Sequence, residues 1–178
     1  MRCLLAAWLL FASAAWADTL QGVVIVVIDG DTVLFKPDHY ASSSRAFLKV
    51  RLAGIDAPEA AQPHGDAATR ALKEMALKQR ATLEIVATDH YGRKLGRLSV
   101  GTLAVNAELV RRGHAWSYGS PRASARRGPD PVRTGPRAAG DALSALQNEA
   151  QHARRGLWRD AAPVPPWAWR RTQATPAY

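Results

Sequence analysis

Three short segments of this chain bring together the residue types that phosphodiester chemistry uses: Asp29-Gly30-Asp31-Thr32, then Arg51-Leu52-Ala53-Gly54-Ile55-Asp56-Ala57-Pro58-Glu59, then Asp89-His90-Tyr91-Gly92-Arg93. Their carboxylates can hold a hard divalent cation against a phosphate, and their arginines can clamp that phosphate as charge builds up. Calcium takes six to eight oxygen ligands at relaxed geometry. If the strand ends carrying Asp31 and Asp56 lie side by side, the two carboxylates share one cation. The Ala57 carbonyl then adds a third oxygen, and Asp29 is placed for a water-bridged role. Glu59, three residues beyond Asp56 and held by Pro58, can take a proton from an attacking water. Arg51 and Arg93 supply the positive clamp, since guanidinium stays charged and binds phosphate oxygens in pairs.

Each segment alone has an ordinary reading. Asp-Gly-Asp is a favoured hairpin turn for backbone reasons. Glu59 can be an exposed glutamate at a helix start, and each arginine a solvated charge. His90 and His114 have no convincing partner in sequence, and His90 reads as a loop residue. Nothing resembles a zinc site, a nucleotide-binding glycine loop or a serine triad.

Elements that would position these residues follow from periodicity. Thr19 to Phe35 is β-branched and apolar around Asp29-Gly30-Asp31, which reads as two strands joined by a tight turn. Ala46 to Ile55 is a third strand, after a serine-rich loop. His64 to Arg80 reads as a helix, with Ala68, Ala71, Leu72, Met75 and Ala76 on one face. Strands follow at Thr82 to Ala87 and Lys94 to Val100. Asn106 is placed to cap a short helix that runs through Arg112 and ends at Gly113. Asp141 is placed to cap another, with a stripe at Leu143, Leu146, Ala150 and Ala153, terminated by Gly156. Five short strands with one helix between the third and fourth, and about three helices in all, match an OB-fold barrel of the α+β type.

At 178 residues the chain is one domain with tails. Arg2, an apolar run from Cys3 to Ala12 too short to span a bilayer, and Ala15-Trp16-Ala17 read as a cleavable signal peptide over 1–17. The mature protein would begin at Asp18 and be secreted or periplasmic, with no membrane attachment after cleavage. Cys3 is the only cysteine, so the mature domain has no disulfide and no thiolate metal site. A formal net charge of +9 points to a polyanionic partner: nucleic acid, anionic lipid or cell-wall polymer. The domain is expected over 18–160, with a basic Gly/Pro/Arg-rich loop at 119–140. That loop reads either as a solvated linker or as a flap on the phosphate backbone. Residues 161–178 form a Pro/Trp-containing tail, extended around Pro163 to Trp169, whose aromatics pack on the domain.

With these residues in view, the chain resembles the staphylococcal nuclease (thermonuclease-like) family of secreted, calcium-dependent nucleases. The resemblance runs from about Gly22 to Trp158. It rests on the D-G-D-T turn, the R-L-x-G-I-D-A-P-E segment, the Y-G-R segment, Val105 to Gly113 and Gly156-Leu157-Trp158. It implies an OB-fold and hydrolysis of DNA, RNA or both by water attack on phosphorus. It assigns calcium to Asp31 and Asp56, the general base to Glu59, phosphate binding to Arg51 and Arg93, and a place near the nucleotide to Tyr91. Ala57 stands where the best-known member has threonine, and only its carbonyl is needed there. Members carry nucleotide-contacting tyrosines around Gly119 to Gly140; here Trp116 and Tyr118 are the nearest aromatics, and Tyr118 is the substrate-contact candidate. No feature calls for a protein partner or for more than a monomer. The competing expectations are a catalytically silent OB-fold that binds nucleic acid, since some family domains have lost these acids and arginines, and a basic cell-envelope binding module.

Overall fold

The computed structural model describes residues 18–118 and 137–173. The alternating Val-rich start of the chain forms β1 (Asp18–Val27), which pairs antiparallel with β2 (Thr32–Pro37); Ile28 to Asp31 make the connection. β3 (Leu48–Leu52) continues the meander beside β2. β5 (Arg80–Thr88) pairs antiparallel with the other edge of β1, and β6 (Lys94–Val100) with β5. A parallel pairing of β3 with β6, Arg51 opposite Leu95, closes the ring. Register shifts at Val24/Val26 in β1 and at Ile85/Ala87 in β5 mark bulges, which bend strands around barrel corners. The five long strands therefore form a closed barrel in the order β1-β2-β3-β6-β5, the expected OB arrangement. β7 (Leu103–Ala104) adds a short edge to β6, while β4 (Ile55–Asp56) pairs with β8 (Trp116–Ser117) as a separate ribbon.

Period-two burial puts Val24, Val33, Phe35, Val50, Leu52, Leu83 and Leu98 inside the barrel. Helix α1 (Gly65–Ala76) covers one end with the predicted apolar face, Ala68, Ala71, Leu72, Met75 and Ala76. Helix α2 (Val105–Arg111) adds Val105, Leu109 and Val110 to the same core. Helix α3 (Arg137–His152) lies on α2, and Ala150 is fully buried. A 3₁₀ turn (Gly156–Arg159) brings in Leu157, and helix α4 (Pro166–Gln173) follows. Gly113 and Gly156 lie back to back: Leu157 N–H donates to the Gly113 carbonyl at 2.9 Å, and a Cβ on either glycine would meet backbone at 2.2 Å. Only glycine fits at both positions.

Several sequence expectations are corrected. The third strand breaks at Ala53-Gly54 into β3 and β4, because the Ala53 N–H turns to the Gly96 carbonyl. The first helix stops at Ala76: Lys78 adopts φ 62° and its N–H bonds the Val24 carbonyl, which starts the turn into β5. Asn106 is not a cap. It lies within α2, after Ala104 at the N-cap, and its side chain is spent on tertiary bonds. Asp141 is not a cap either, since α3 begins at Arg137; residues 137–140 are thus helical rather than loop. That helix ends at His152, before Gly156. The tail is not extended through Trp169, because Pro166 starts α4. Proline fits a first helical position, where no N–H is needed. The signal segment 1–17, and residues 119–136 of the basic loop, lie outside the described residues.

Candidate active site

The hairpin connection after β1 presents Asp31 and tucks Gly30 under the start of α1. A Cβ on Gly30 would meet the Ala57 and Ala68 methyls at 2.7 and 2.8 Å, so the turn depends on a residue without a side chain. Asp29 Oδ1 accepts the Asp31 N–H at 3.0 Å and sets the turn. Asp31 is buried, and its carboxylate is surrounded by donors. Thr32 Oγ1 and Arg51 Nη1 each donate to Oδ1 at 3.0 Å, and the Ala57 N–H donates to Oδ2 at 3.0 Å. Asp56 is fully buried in β4, opposite Trp116 of β8. Its Oδ1 accepts Arg51 Nη2 at 2.6 Å.

One guanidinium therefore spans two buried carboxylates. Arg51 stands on β3 opposite Thr32 of β2, so the sheet register delivers it to both. Burial opposes the Arg51 charge, but Asp31 and Asp56 outweigh it and raise the pKa. For Asp31 the balance tips the other way. Burial pushes its carboxyl up to about 7; Arg51 pulls it down, while Asp29 and Asp56 push it further up. Two carboxylates brought together by one guanidinium are the hard oxygen donors that a divalent cation takes, with waters completing its shell. Asp31 and Asp56 would hold it. Among the described residues, no three acidic, His or Cys side chains converge on one centre.

Glu59 sits in a tight loop before α1. The Gln62 N–H donates to the Glu59 carbonyl at 2.8 Å, and Gln62 Oε1 accepts the Glu59 N–H at 3.2 Å. The Glu59 carboxylate meets a residue that sequence reasoning missed: Arg170 of α4 donates Nη1 to its Oε1 at 2.5 Å. Arg170 also reaches Asp56, Nη2 to Oδ2 at 2.8 Å and Nη1 to Oδ1 at 3.3 Å. A cleft of about 440 Å³ lies beside this contact, lined by Glu59, Trp169, Arg170 and Gln173. Burial works against the Arg170 charge, but Asp56 and Glu59 more than offset it and its pKa is raised.

Arg93 is organised separately. In the turn between β5 and β6, Asp89 Oδ1 accepts the N–H groups of Tyr91 and Arg93 at 3.0 and 2.9 Å. Asp89 Oδ2 accepts Arg93 Nε at 2.7 Å, and these bonds outweigh its desolvation and lower its pKa. Arg93 lies over the Tyr91 ring at 5.5 Å, and Tyr91 is 74 % exposed. The turn precedes β6, whose parallel partner β3 carries Arg51. Tyr118 follows β8, and its N–H bonds the Gly54 carbonyl at 2.7 Å, next to β4. The fold thus gathers Asp29, Asp31, Arg51, Asp56, Ala57 and Glu59 at one end of the barrel; Arg93 and Tyr91 form a second cluster on the β5–β6 turn.

A second cleft, of about 460 Å³, is lined by His64, Arg112, His114, Arg154, Arg155 and Arg159, with Ala67, Ala153 and Gly156. His114 is half-buried there, and burial, then Arg112, lowers its pKa.

Residues 49–160 match the family described as staphylococcal nuclease homologue. The chain belongs to the staphylococcal nuclease family. Its relatives include a protein named uncharacterized endonuclease from Escherichia coli O157:H7, 38% identical over 152 residues, covering 85% of each chain. Protein ParB of Escherichia coli is 38% identical over 172 residues, covering 92% of this chain and 85% of its own. A micrococcal nuclease from Shigella flexneri is 31% identical, covering 96% of this chain and 92% of its own. The family match takes in Arg51, Asp56, Glu59 and Arg93; Asp31 lies before it and α4 after it.

Proposed function

We propose that this protein is an exported, calcium-dependent nuclease that hydrolyses phosphodiester bonds of DNA, RNA or both. Family membership and relatives named endonuclease and micrococcal nuclease support the coarser statement, a hydrolytic nuclease acting on nucleic acid. The observation that carries the chemistry is Arg51 bridging Asp31 and Asp56 beside Glu59. When bound, a divalent cation supplies positive charge next to the scissile phosphate.

The chain's own residues account for the rest. Glu59, partly open to solvent, accepts the proton of a water as its oxygen attacks phosphorus. The new P–O bond forms as the bond to the leaving oxygen breaks, and that oxygen takes up a proton from solvent water. Arg51 commits only part of its five N–H donors to the carboxylates, so it can donate to a phosphate oxygen without leaving them. Arg93 commits Nε to Asp89, which fixes the plane of the guanidinium and leaves both terminal nitrogens for phosphate. Tyr91 and Tyr118, both exposed, offer rings to the nucleotide. The basic cleft around Arg154 and Arg159 adds a contact surface for distal phosphates.

The Ala15-Trp16-Ala17 pattern supports export. Among the described residues, no helix is long and apolar enough to cross a membrane.

The test is digestion of single-stranded DNA, duplex DNA and RNA by the protein starting at Asp18, with calcium and with a chelator, alongside Glu59→Gln. Cleavage that needs calcium and is crippled in the variant is the expected result. A folded protein that binds DNA without cutting it overturns the reading.

A further inference from the structure

Helix α4 delivers a positive charge to the oxygens on which the site depends. Arg170 bonds both carboxylate oxygens of Asp56 and one of Glu59. Asp56 is fully buried and the Arg170 side chain is 41% exposed, so a partly solvated guanidinium covers a carboxylate that has no solvent contact of its own. Trp167, one turn earlier on the same helix face, packs edge-on against the buried Trp116 at 6.1 Å. Trp116 is in turn the strand partner of Asp56, so the ring contact and the ion pair address one ribbon. Gln62 completes the attachment, donating Nε2 to the Val164 carbonyl at 2.5 Å while its Oε1 holds the Glu59 N–H. The segment entering α4 and the loop carrying Glu59 thus share one side chain.

We propose that α4 is a latch and that Arg170 is a tethered competitor for the divalent cation, holding Asp56, and with it Glu59, until a cation takes the Asp56 oxygens. This rests on the reading of Asp31 and Asp56 as cation ligands. A guanidinium on Asp56 neutralises the same charge that a cation would neutralise, so the two compete for that carboxylate. The site is self-satisfied at low calcium. It opens when calcium is abundant, as outside a cell, and only then is Glu59 free to accept a proton. Because the latch is intramolecular, its strength is set by the α4 docking contacts as well as by the ion pair.

Calcium binding to the protein starting at Asp18, measured by titration calorimetry without substrate, tests this. Arg170→Ala is expected to bind calcium about tenfold or more tightly than the parent. Trp167→Ala, which leaves Arg170 in place but loosens the helix, is expected to move affinity in the same direction by less. Tryptophan emission and protease cleavage within 163–173 of the parent are expected to change on calcium addition, and to revert with chelator. Equal, finite calcium affinity in parent and both variants overturns the latch and leaves the cation site standing. No calcium binding by any of the three, each folded by circular dichroism, overturns the cation reading and the latch together. Weaker calcium binding by Arg170→Ala also overturns the latch, and makes Arg170 a structural support of the site.

Discussion

Arg170 and Asp56, 114 residues apart in sequence, meet through two hydrogen bonds, Nη2 to Oδ2 at 2.8 Å and Nη1 to Oδ1 at 3.3 Å. Asp56 also accepts Arg51, so a fully buried carboxylate is shared between a guanidinium from β3 and one from α4. The surrounding machinery is sensitive to each of these charges in a different way.

Glu59→Gln removes the proton acceptor but keeps the side-chain shape. Turnover on single-stranded DNA with calcium is expected to fall by roughly 10² to 10⁴-fold, with an unchanged melting temperature. A drop of less than threefold in a folded variant takes Glu59 out of the chemistry.

Arg51→Ala leaves Asp31 buried without a cationic partner, while Asp56 keeps Arg170. Stability is expected to fall by about 3 kcal/mol, because removing the guanidinium strands a buried carboxyl. Calcium then raises the melting temperature of the variant more than that of the parent, as a cation takes over the guanidinium's role. A smaller calcium shift in the variant argues against a shared cation at these two carboxylates.

Glu108 gives a pH signature away from the site. Arg111 donates to both of its oxygens and Arg112 to one, all within 2.5–2.6 Å, and together they hold the carboxyl down to about 2 against an ordinary value of 4.5. The folded pKa is lowered, so the stabilisation is complete above pH 4.5 and drains away as pH falls towards 2. Glu108→Gln is expected to cost on the order of 1 kcal/mol at pH 7, since both arginines are partly solvated. Urea melts of parent and variant should converge between pH 4.5 and 2; a gap that stays constant refutes the assignment.

Asn106 ties β6 and the turn after β3 to α2. Its Oδ1 accepts the Leu98 N–H at 3.0 Å, and its Nδ2 donates to the Ala53 and Gly96 carbonyls at 2.9 and 3.2 Å. Asn106→Ala strands these buried groups and is expected to cost about 2–3 kcal/mol, read from denaturant midpoints. A loss under 0.5 kcal/mol would mean that water replaces the amide there.

The basic cleft predicts a salt effect. Neither Arg154 nor Arg159 has an ion-pair partner among the described residues. If each neutralises one phosphate, the Arg154→Ala, Arg159→Ala double variant should flatten the plot of log affinity against log salt by about 1.8 for duplex DNA. An unchanged slope removes this face from the substrate path.

Much of the site was legible because its members are local in sequence. Asp29, Asp31, Asp56, Ala57 and Glu59 lie in two short motifs, and the barrel's alternation fixes where Arg51 points. Position in space was harder to read where long-range contacts decide. Asn106 looks like a cap because asparagine favours caps, yet a buried network across 53 residues claims its amide. Arg170 directly follows a proline-rich run, Pro163 to Trp169, that reads as extended, and no local pattern links it to Asp56. The pair Trp167 and Arg170, one helical turn apart after Pro166, is the signal that would have pointed to a docked helix.

The back-to-back glycines, Gly113 and Gly156, fasten the last core segment to the end of α2, and Leu157 is the last fully buried apolar side chain before α4. Among the described residues, 161–173 therefore attach to a core that is already closed, with Pro166 buried at the join. Such an appendage is free to drift in length, charge and grip without disturbing the barrel. Changes at the few contacts that dock α4 can then retune the site for the ionic conditions in which it works, while the barrel stays as it is.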